Sequence, residues 1–296
     1  MVTELEALDE KNTWTLVQLP PGKRVIGTKW VLKLKLDGCN VLERYKCRVV
    51  ALGYLQEFGF DFDETFAPVV RIDTIRCLFA IATYYGLEII HIDCKSAFLN
   101  GDSDLELYVT QPPGFIHPQY PTRVLRLNKS LYGLKQAPPI WFLLLSEAIC
   151  SHGYSPLESD PSIYYHSGKG TIIAVFVDDI LILGKTIEAC NTEFNLLAIH
   201  FTMVNRGPPT TYLGINVSRP NPNLISIDQS GYINRMLAQF RMTDCRPEST
   251  PTNYALTLHK RLDHEVAADT KLYNQITGSV NHLAIYTRPD ISFTVS

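Results

Sequence analysis

Residues 172–183, IIAVFVDDILIL, place two adjacent carboxylates, Asp178 and Asp179, between two apolar runs. Paired acids repel each other and resist desolvation, so such a pair inside an apolar stretch needs an explanation. One explanation is a tight turn, because Asp tolerates the dihedrals that hairpin tips require. A second acid suggests more. Asp93 ends the apolar run 87–93 and is followed by Cys94, Lys95 and Ser96, where a helix cap or a solvated strand end is the plainer role. If that run pairs beside the hairpin, Asp93 and Asp178 come together at one end of a sheet. Hard oxygen ligands without Cys or His suit Mg²⁺, which keeps waters and is completed by substrate phosphates. Two such ions ~3.5–4 Å apart would clamp the attacking and leaving oxygens of an in-line phosphoryl displacement.

The elements that must position these acids are legible in four places. Asp73 is a candidate N-cap, and Ile75, Leu78, Phe79 and Ala82 follow at helical spacing before Gly86. Residues 87–93 predict a buried strand through Ile89, Ile90 and Ile92. Residues 138–150 predict an apolar helix stopped near Gly153. The runs 171–177 and 180–183 predict a hairpin with Asp178 and Asp179 as its two-residue tip. Helix, strand, helix, hairpin is the order of an α+β domain, an antiparallel sheet with helices on one face.

The whole chain has 296 residues, 46% apolar and 19% charged, which supports a sizeable core and excludes a disordered protein. Its net charge of −3 gives no global field for nucleic acid, so any such partner needs a local patch. Residues 23–48 supply one, with eight cations (Lys23, Arg24, Lys29, Lys33, Lys35, Arg44, Lys46, Arg48) against Asp37 and Glu43. Around Trp30, the lysines have the period of a strand with one cationic face, although a solvated charged face has the same pattern. No apolar run reaches the ~18 residues of a spanning helix, and the acidic first ten residues do not resemble a secretory signal. Seven cysteines without a CxxC pair predict reduced, mostly structural thiols in an intracellular protein. The eight histidines show no ligand spacing. Proline pairs punctuate the chain, and the polar stretch from Pro247 and Pro251 to about Thr270 is the most plausible hinge.

Three motifs, DCKSAFLNG at 93–101, LYGLKQAP at 131–138 and FVDD at 176–179, resemble the central motifs of reverse transcriptases of copia-like LTR retrotransposons. Supporting blocks are IGTKWVLKLK at 26–35, ERYKCRVVALGY at 43–54, DETFAPVVR at 63–71, YLGINV at 212–217 and TRPDISF at 287–293, so the similarity covers nearly the whole chain. The resemblance implies the polymerase right hand. Residues 1–72 would form the N-terminal segment and fingers, 73–217 the palm with finger insertions, and 218–296 the thumb and the start of the connection. It implies RNA-directed DNA polymerase activity, with dNTPs joined to a primer 3′-hydroxyl on an RNA or DNA template. Asp93, Asp178 and Asp179 would be the catalytic, metal-binding acids for two Mg²⁺ ions (or Mn²⁺), Asp179 the less direct. Lys46 and Arg48 would meet the triphosphate, and Phe98 would pack under the sugar and exclude a ribose 2′-hydroxyl. Gly133 and Gln136 match the loop that lets template and nucleotide approach the backbone; a simple turn is the other role for Gly133. Leu213 and Gly214 match a primer-gripping hairpin, and 232–240 a thumb helix.

Some residues depart from the family pattern. Pro139 replaces an arginine, Cys47 an alanine, and Val204-Asn205-Arg206 a Lys-Asp-Leu triplet. Pro139 should be tolerated near a helix start, whereas Arg206 is harder to bury than an apolar residue. The alternative reading is a decayed relic retaining only the fold and nucleic-acid binding. A palm-like cyclase acting on free nucleotides is a third, against which the basic strip and residues 131–138 argue. The resemblance also implies a fragment of a Pol polyprotein without its RNase H, protease and integrase regions, in the cytoplasm within virus-like particles, with no membrane partner.

Overall fold

The computed structural model describes residues 1–36, 42–103, 105–252 and 269–295. Its helices are α1 (Val2–Glu10), α2 (Ile72–Tyr85), α3 (Ala137–Ser151), α4 (Ile187–Ala198), α5 (Ser230–Gln239), α6 (Thr270–Tyr286) and α7 (Ser292–Val295). The strands are β1 (Trp14–Val17), β2 (Thr28–Leu36), β3 (Leu42–Ala51), β4 (Glu88–Cys94), β5 (Tyr108–Val109), β6 (Val124–Leu127), β7 (Ser155–Pro156), β8 (Ile163–His166), β9 (Thr171–Phe176), β10 (Asp179–Gly184), β11 (Met203–Asn205), β12 (Thr211–Tyr212), β13 (Ile215–Asn221) and β14 (Leu224–Asp228). Among the described residues, no helix is long and apolar enough to cross a membrane.

The chain divides into two units, Met1–Val70 with Ile90–Arg206, and Arg71–Ile89 with Gly207–Ser296. The first is organised by a six-stranded sheet in the order β11-β4-β10-β9-β8-β7. Its β9–β10 hairpin is antiparallel, with Ile180 opposite Val175 and Ile182 opposite Ile173. Alternate residues of a strand share a face. Ile90, Ile92 and Cys94 of β4, Ile173 and Val175 of β9, and Ile180 and Ile182 of β10 therefore line one side. Against them pack Trp141, Leu145, Ala148 and Ile149 of α3, with Cys190 and Leu197 of α4. This is the expected sheet backed by helices, and the chain is an α+β protein with several antiparallel sheets. Pro139 falls in the first turn of α3, where its missing N–H has no intrahelical partner to lose.

A second core joins Leu8 of α1 to Val49 and Ala51 of β3, to Val109 of β5, and to Leu125 and Leu127 of β6. From this core the antiparallel ribbon β2–β3 extends, with Lys33 opposite Lys46 and Val31 opposite Arg48. Cross-strand partners point the same way, so Lys29, Lys33, Lys46 and Arg48 lie on one face of the ribbon. Lys23 and Arg24 are already paired, Lys23 Nζ with Glu106 Oε2 at 2.5 Å and Arg24 with Glu57, so the strip is smaller than the count of cations suggests. Residues 37–41, including Asp37, and the side chains of Lys35, Glu43 and Arg44 lie outside the described residues.

The second unit contains the sheet β12-β13-β14 with α2, α5 and α6. Ile75, Leu78, Phe79 and Ala82 are buried on α2, and Gly86 ends the helix at φ 64°. Asp73 is not its N-cap. Arg71 takes that place, and Asp73 lies in the first turn, 3.6 Å from Arg76, where a negative charge still favours the helix dipole. Leu213 and Gly214, at φ 48° and 82°, form the two-residue connection of β12 and β13, the positive dihedrals of a type I′ hairpin. α5 covers most of the helix expected at 232–240. Of the proposed hinge, 253–268 lie outside the described residues.

Candidate active site

The acids are brought together by two neighbouring strands. Asp93 is the penultimate residue of β4, on the same face as His91 and opposite to the core residues Ile92 and Cys94. The turn after β9 lies one residue earlier than expected. Asp179 is already in β10, opposite Phe176, and the tip is Val177-Asp178. Val177 has φ 56°, a conformation that a β-branched residue rarely accepts. Two tertiary hydrogen bonds hold it there. Trp141 Nε1–H donates to the Val177 carbonyl, and the Cys94 amide donates to the Asp178 carbonyl, both at 2.8 Å. These contacts override the local preference for Asp-Asp at the tip.

Asp93 and Asp178 line one cleft of about 610 Å³ in the first unit, together with Lys46, Arg48, Tyr132 and Arg206. Burial, then the charges of Asp179 and Asp93, push the Asp178 carboxyl above its ordinary range, against a weaker opposing pull from Arg48. The Cys94 thiol behind it is pushed up to about 12, by burial first and then by Asp178 and Asp93. Across the cleft, the Arg48 guanidinium lies over the Tyr132 ring, 4.5 Å from its centroid. Glu4 of α1 also faces the cleft, its carboxyl raised by burial although Arg48 and Lys46 oppose this.

Other expected site residues do not line the cleft. The Asp179 carboxylate accepts a 2.9 Å hydrogen bond from His91 Nε2 and does not line the cleft. Phe98 packs edge-on behind Tyr132, ring centroids 5.5 Å apart. Gln136 is buried, its amide donating to the Asp61 carbonyl at 3.1 Å and its Oε1 accepting from Gln56 at 2.9 Å. Gly133 has φ 89°, and a Cβ there would collide with the Ala51 carbonyl oxygen, so its bareness serves a close approach within the chain itself. Arg206 is not buried, as a replacement for an apolar residue would require. It is half exposed, and its Nη2 donates to Asp93 Oδ2 at 3.0 Å. Tyr132, Arg206 and Glu4 join the cleft without having been singled out as site residues. Only Tyr132, an aromatic inside the 131–138 motif, carried a local signal.

The surroundings of Asp178 test whether a divalent ion suits the cleft. A carboxyl whose ionisation is opposed by burial and by two neighbouring acids is stabilised by added positive charge. Among the described residues, no group of three or more His, Cys, Asp or Glu side chains is disposed to hold a metal. Two carboxylates suffice for Mg²⁺, which takes its other ligands from water and substrate phosphates. Asp93 and Asp178 therefore fit such an ion.

The cleft thus sets Glu4, Asp93 and Asp178 against Lys46, Arg48, Lys95 and Arg206, in a unit organised by an antiparallel sheet. Residues 11–254 match the family model described as reverse transcriptase (RNA-dependent DNA polymerase), and the chain belongs to that family. The family is one of nucleotidyltransferases and generally uses divalent metals. More particularly, the chain falls with the reverse transcriptases of copia-type plant transposons. It is 38% identical over its full length to a retrovirus-related Pol polyprotein from transposon TNT 1-94 of Nicotiana tabacum. It is 35% identical, again over its full length, to those from transposons RE2 and RE1 of Arabidopsis thaliana. The chain spans 23% of the first relative and 20% of each of the other two.

Proposed function

We propose that this chain is an RNA-directed DNA polymerase domain that transfers a nucleotide from a dNTP to a primer 3′-hydroxyl on an RNA or DNA template. The observation that carries the reading is the convergence of Asp93 and Asp178 in one cleft with Lys46 and Arg48. Asp93 and Asp178 would hold Mg²⁺ (or Mn²⁺), whose charge, when two ions are bound, lowers the pKa of the attacking hydroxyl and neutralises the leaving pyrophosphate. Lys46 and Arg48 would bind the triphosphate, a sequence-independent contact that weakens with salt. Tyr132, held under Arg48 and backed by Phe98, would take the sugar face. Asp179 would act through the sheet, fixing the turn by its hydrogen bond to His91 rather than touching substrate. Gly133 and Gln136 would shape the loop from within.

In this reading, residues 1–72 serve as the N-terminal segment and fingers, 73–217 as the palm with finger insertions and 218–296 as the thumb and the start of the connection, the right hand of polymerases. The chain would work as part of a larger Pol polyprotein, in the cytoplasm. Primer extension on an RNA template with dNTPs and Mg²⁺, with Asp178→Asn as control, tests it. Template-dependent extension that is lost in the control supports the proposal; its absence from the parent chain refutes it. The contact of Arg206 with Asp93 favours one second reading, a decayed copy. Salt-sensitive nucleic-acid binding without extension would support that instead.

A further inference from the structure

Arg206 is anchored through its backbone and reaches Asp93 through its guanidinium. The Arg206 amide donates to the His91 carbonyl at 2.8 Å, tying the backbone to β4 two residues from Asp93. Just before it, β11 pairs with β4, Val204 opposite Asp93 and Asn205 opposite Ile92. Asn205 Nδ2 also donates to Asn191 Oδ1 of α4 at 2.8 Å. From this anchored backbone the side chain reaches the carboxylate, Nη2 to Oδ2 at 3.0 Å, and both residues line the cleft.

We propose that Arg206 is a tethered cation that competes with the divalent ion for the Asp93 carboxylate, and so sets the metal affinity of the cleft. The inference rests on the reading that Asp93 and Asp178 hold that ion. A fixed positive charge on one ligand has two effects. It takes a donor oxygen, and it repels an incoming dication. Both partners are partly exposed, Arg206 at 47% and Asp93 at 29% of their side chains, so solvent screens the effect. The expected penalty is on the order of fivefold in metal affinity at low salt.

Mn²⁺ binding to the full chain, followed by the loss of the free-ion paramagnetic resonance signal, tests this without any turnover. Arg206→Gln should bind Mn²⁺ about fivefold more tightly than the parent, with the difference shrinking at high salt. Arg206→Lys, which keeps the charge, should stay close to the parent. In an Asp93→Asn background, Arg206→Gln should give no gain. If Arg206→Gln matches the parent while Asp178→Asn weakens binding, the role of Arg206 is refuted and the metal reading stands. If Asp93→Asn and Asp178→Asn both leave Mn²⁺ binding unchanged, the metal reading fails and this inference falls with it.

Discussion

Replacing Val177 with glycine measures what the acidic turn costs the fold. At φ 56° a valine is in a region it rarely visits, and such residues cost ~1–3 kcal/mol each. Glycine removes that strain. It also adds ~0.5–1 kcal/mol of chain entropy to be lost on folding. The Val177 side chain is only partly buried against the sheet core, so its removal forfeits about 1 kcal/mol, part of the ~1.5–3 kcal/mol of a fully buried valine. Gains and losses nearly cancel, and the expected change is within about 1 kcal/mol. Val175, two residues earlier in β9, is the comparison. It is 2% exposed with ordinary strand geometry, so Val175→Gly should cost more than about 2.5 kcal/mol. The three tryptophans, Trp14, Trp30 and Trp141, all lie in the first unit, so their fluorescence during urea unfolding reports on the unit that contains the turn. A loss of more than about 2 kcal/mol for Val177→Gly would mean that the turn is unstrained, and would refute the argument.

Three further outcomes can be measured. Asp178 ionises above its ordinary 3.8 because of burial and then Asp179 and Asp93. Its contribution therefore favours the fold below 3.8 and is lost as pH rises through the folded value. Asp178→Asn should accordingly be more stable than the parent at pH 7, with the advantage vanishing as pH falls towards 3.8; a constant difference across the range would contradict this. Gly133→Ala should lose at least ~2 kcal/mol, because an alanine there adopts φ 89° and meets the Ala51 carbonyl, and an unchanged urea midpoint would rule that out. Cys94, buried and with its thiol pushed up to about 12, should resist alkylation at pH 8 in the folded chain, whereas the exposed Cys77, Cys150 and Cys245 should react within minutes. Rapid labelling of Cys94 in peptide maps would overturn that assignment.

Much of the sheet was readable because burial imposes period-2 and period-3.6 patterns on the chain itself. Ile89 to Ile92, the runs flanking Asp178, and the apolar face of α2 are local signals of that kind. Boundaries were less legible. The cap of α2 fell on Arg71 rather than Asp73, and the hairpin tip shifted by one residue, because hydrogen bonds from Trp141 and Cys94 decided the turn.

The site divides in the same way. Carboxylates at the ends of apolar strands are visible in one dimension and picked out Asp93 and Asp178, whereas Lys46 and Arg48 were picked from a run of eight cations only by the resemblance of the surrounding motif. Which of them share a cleft depends on strand order, placing β4 beside β10, and that is a property of the folded sheet. Side-chain direction is likewise set by neighbours distant in sequence. Asp179 turns to His91, Gln136 to Gln56 and Asp61, and Arg206 to Asp93. A charge or amide seeks the nearest satisfying partner in space, and the linear chain does not record where that partner will be.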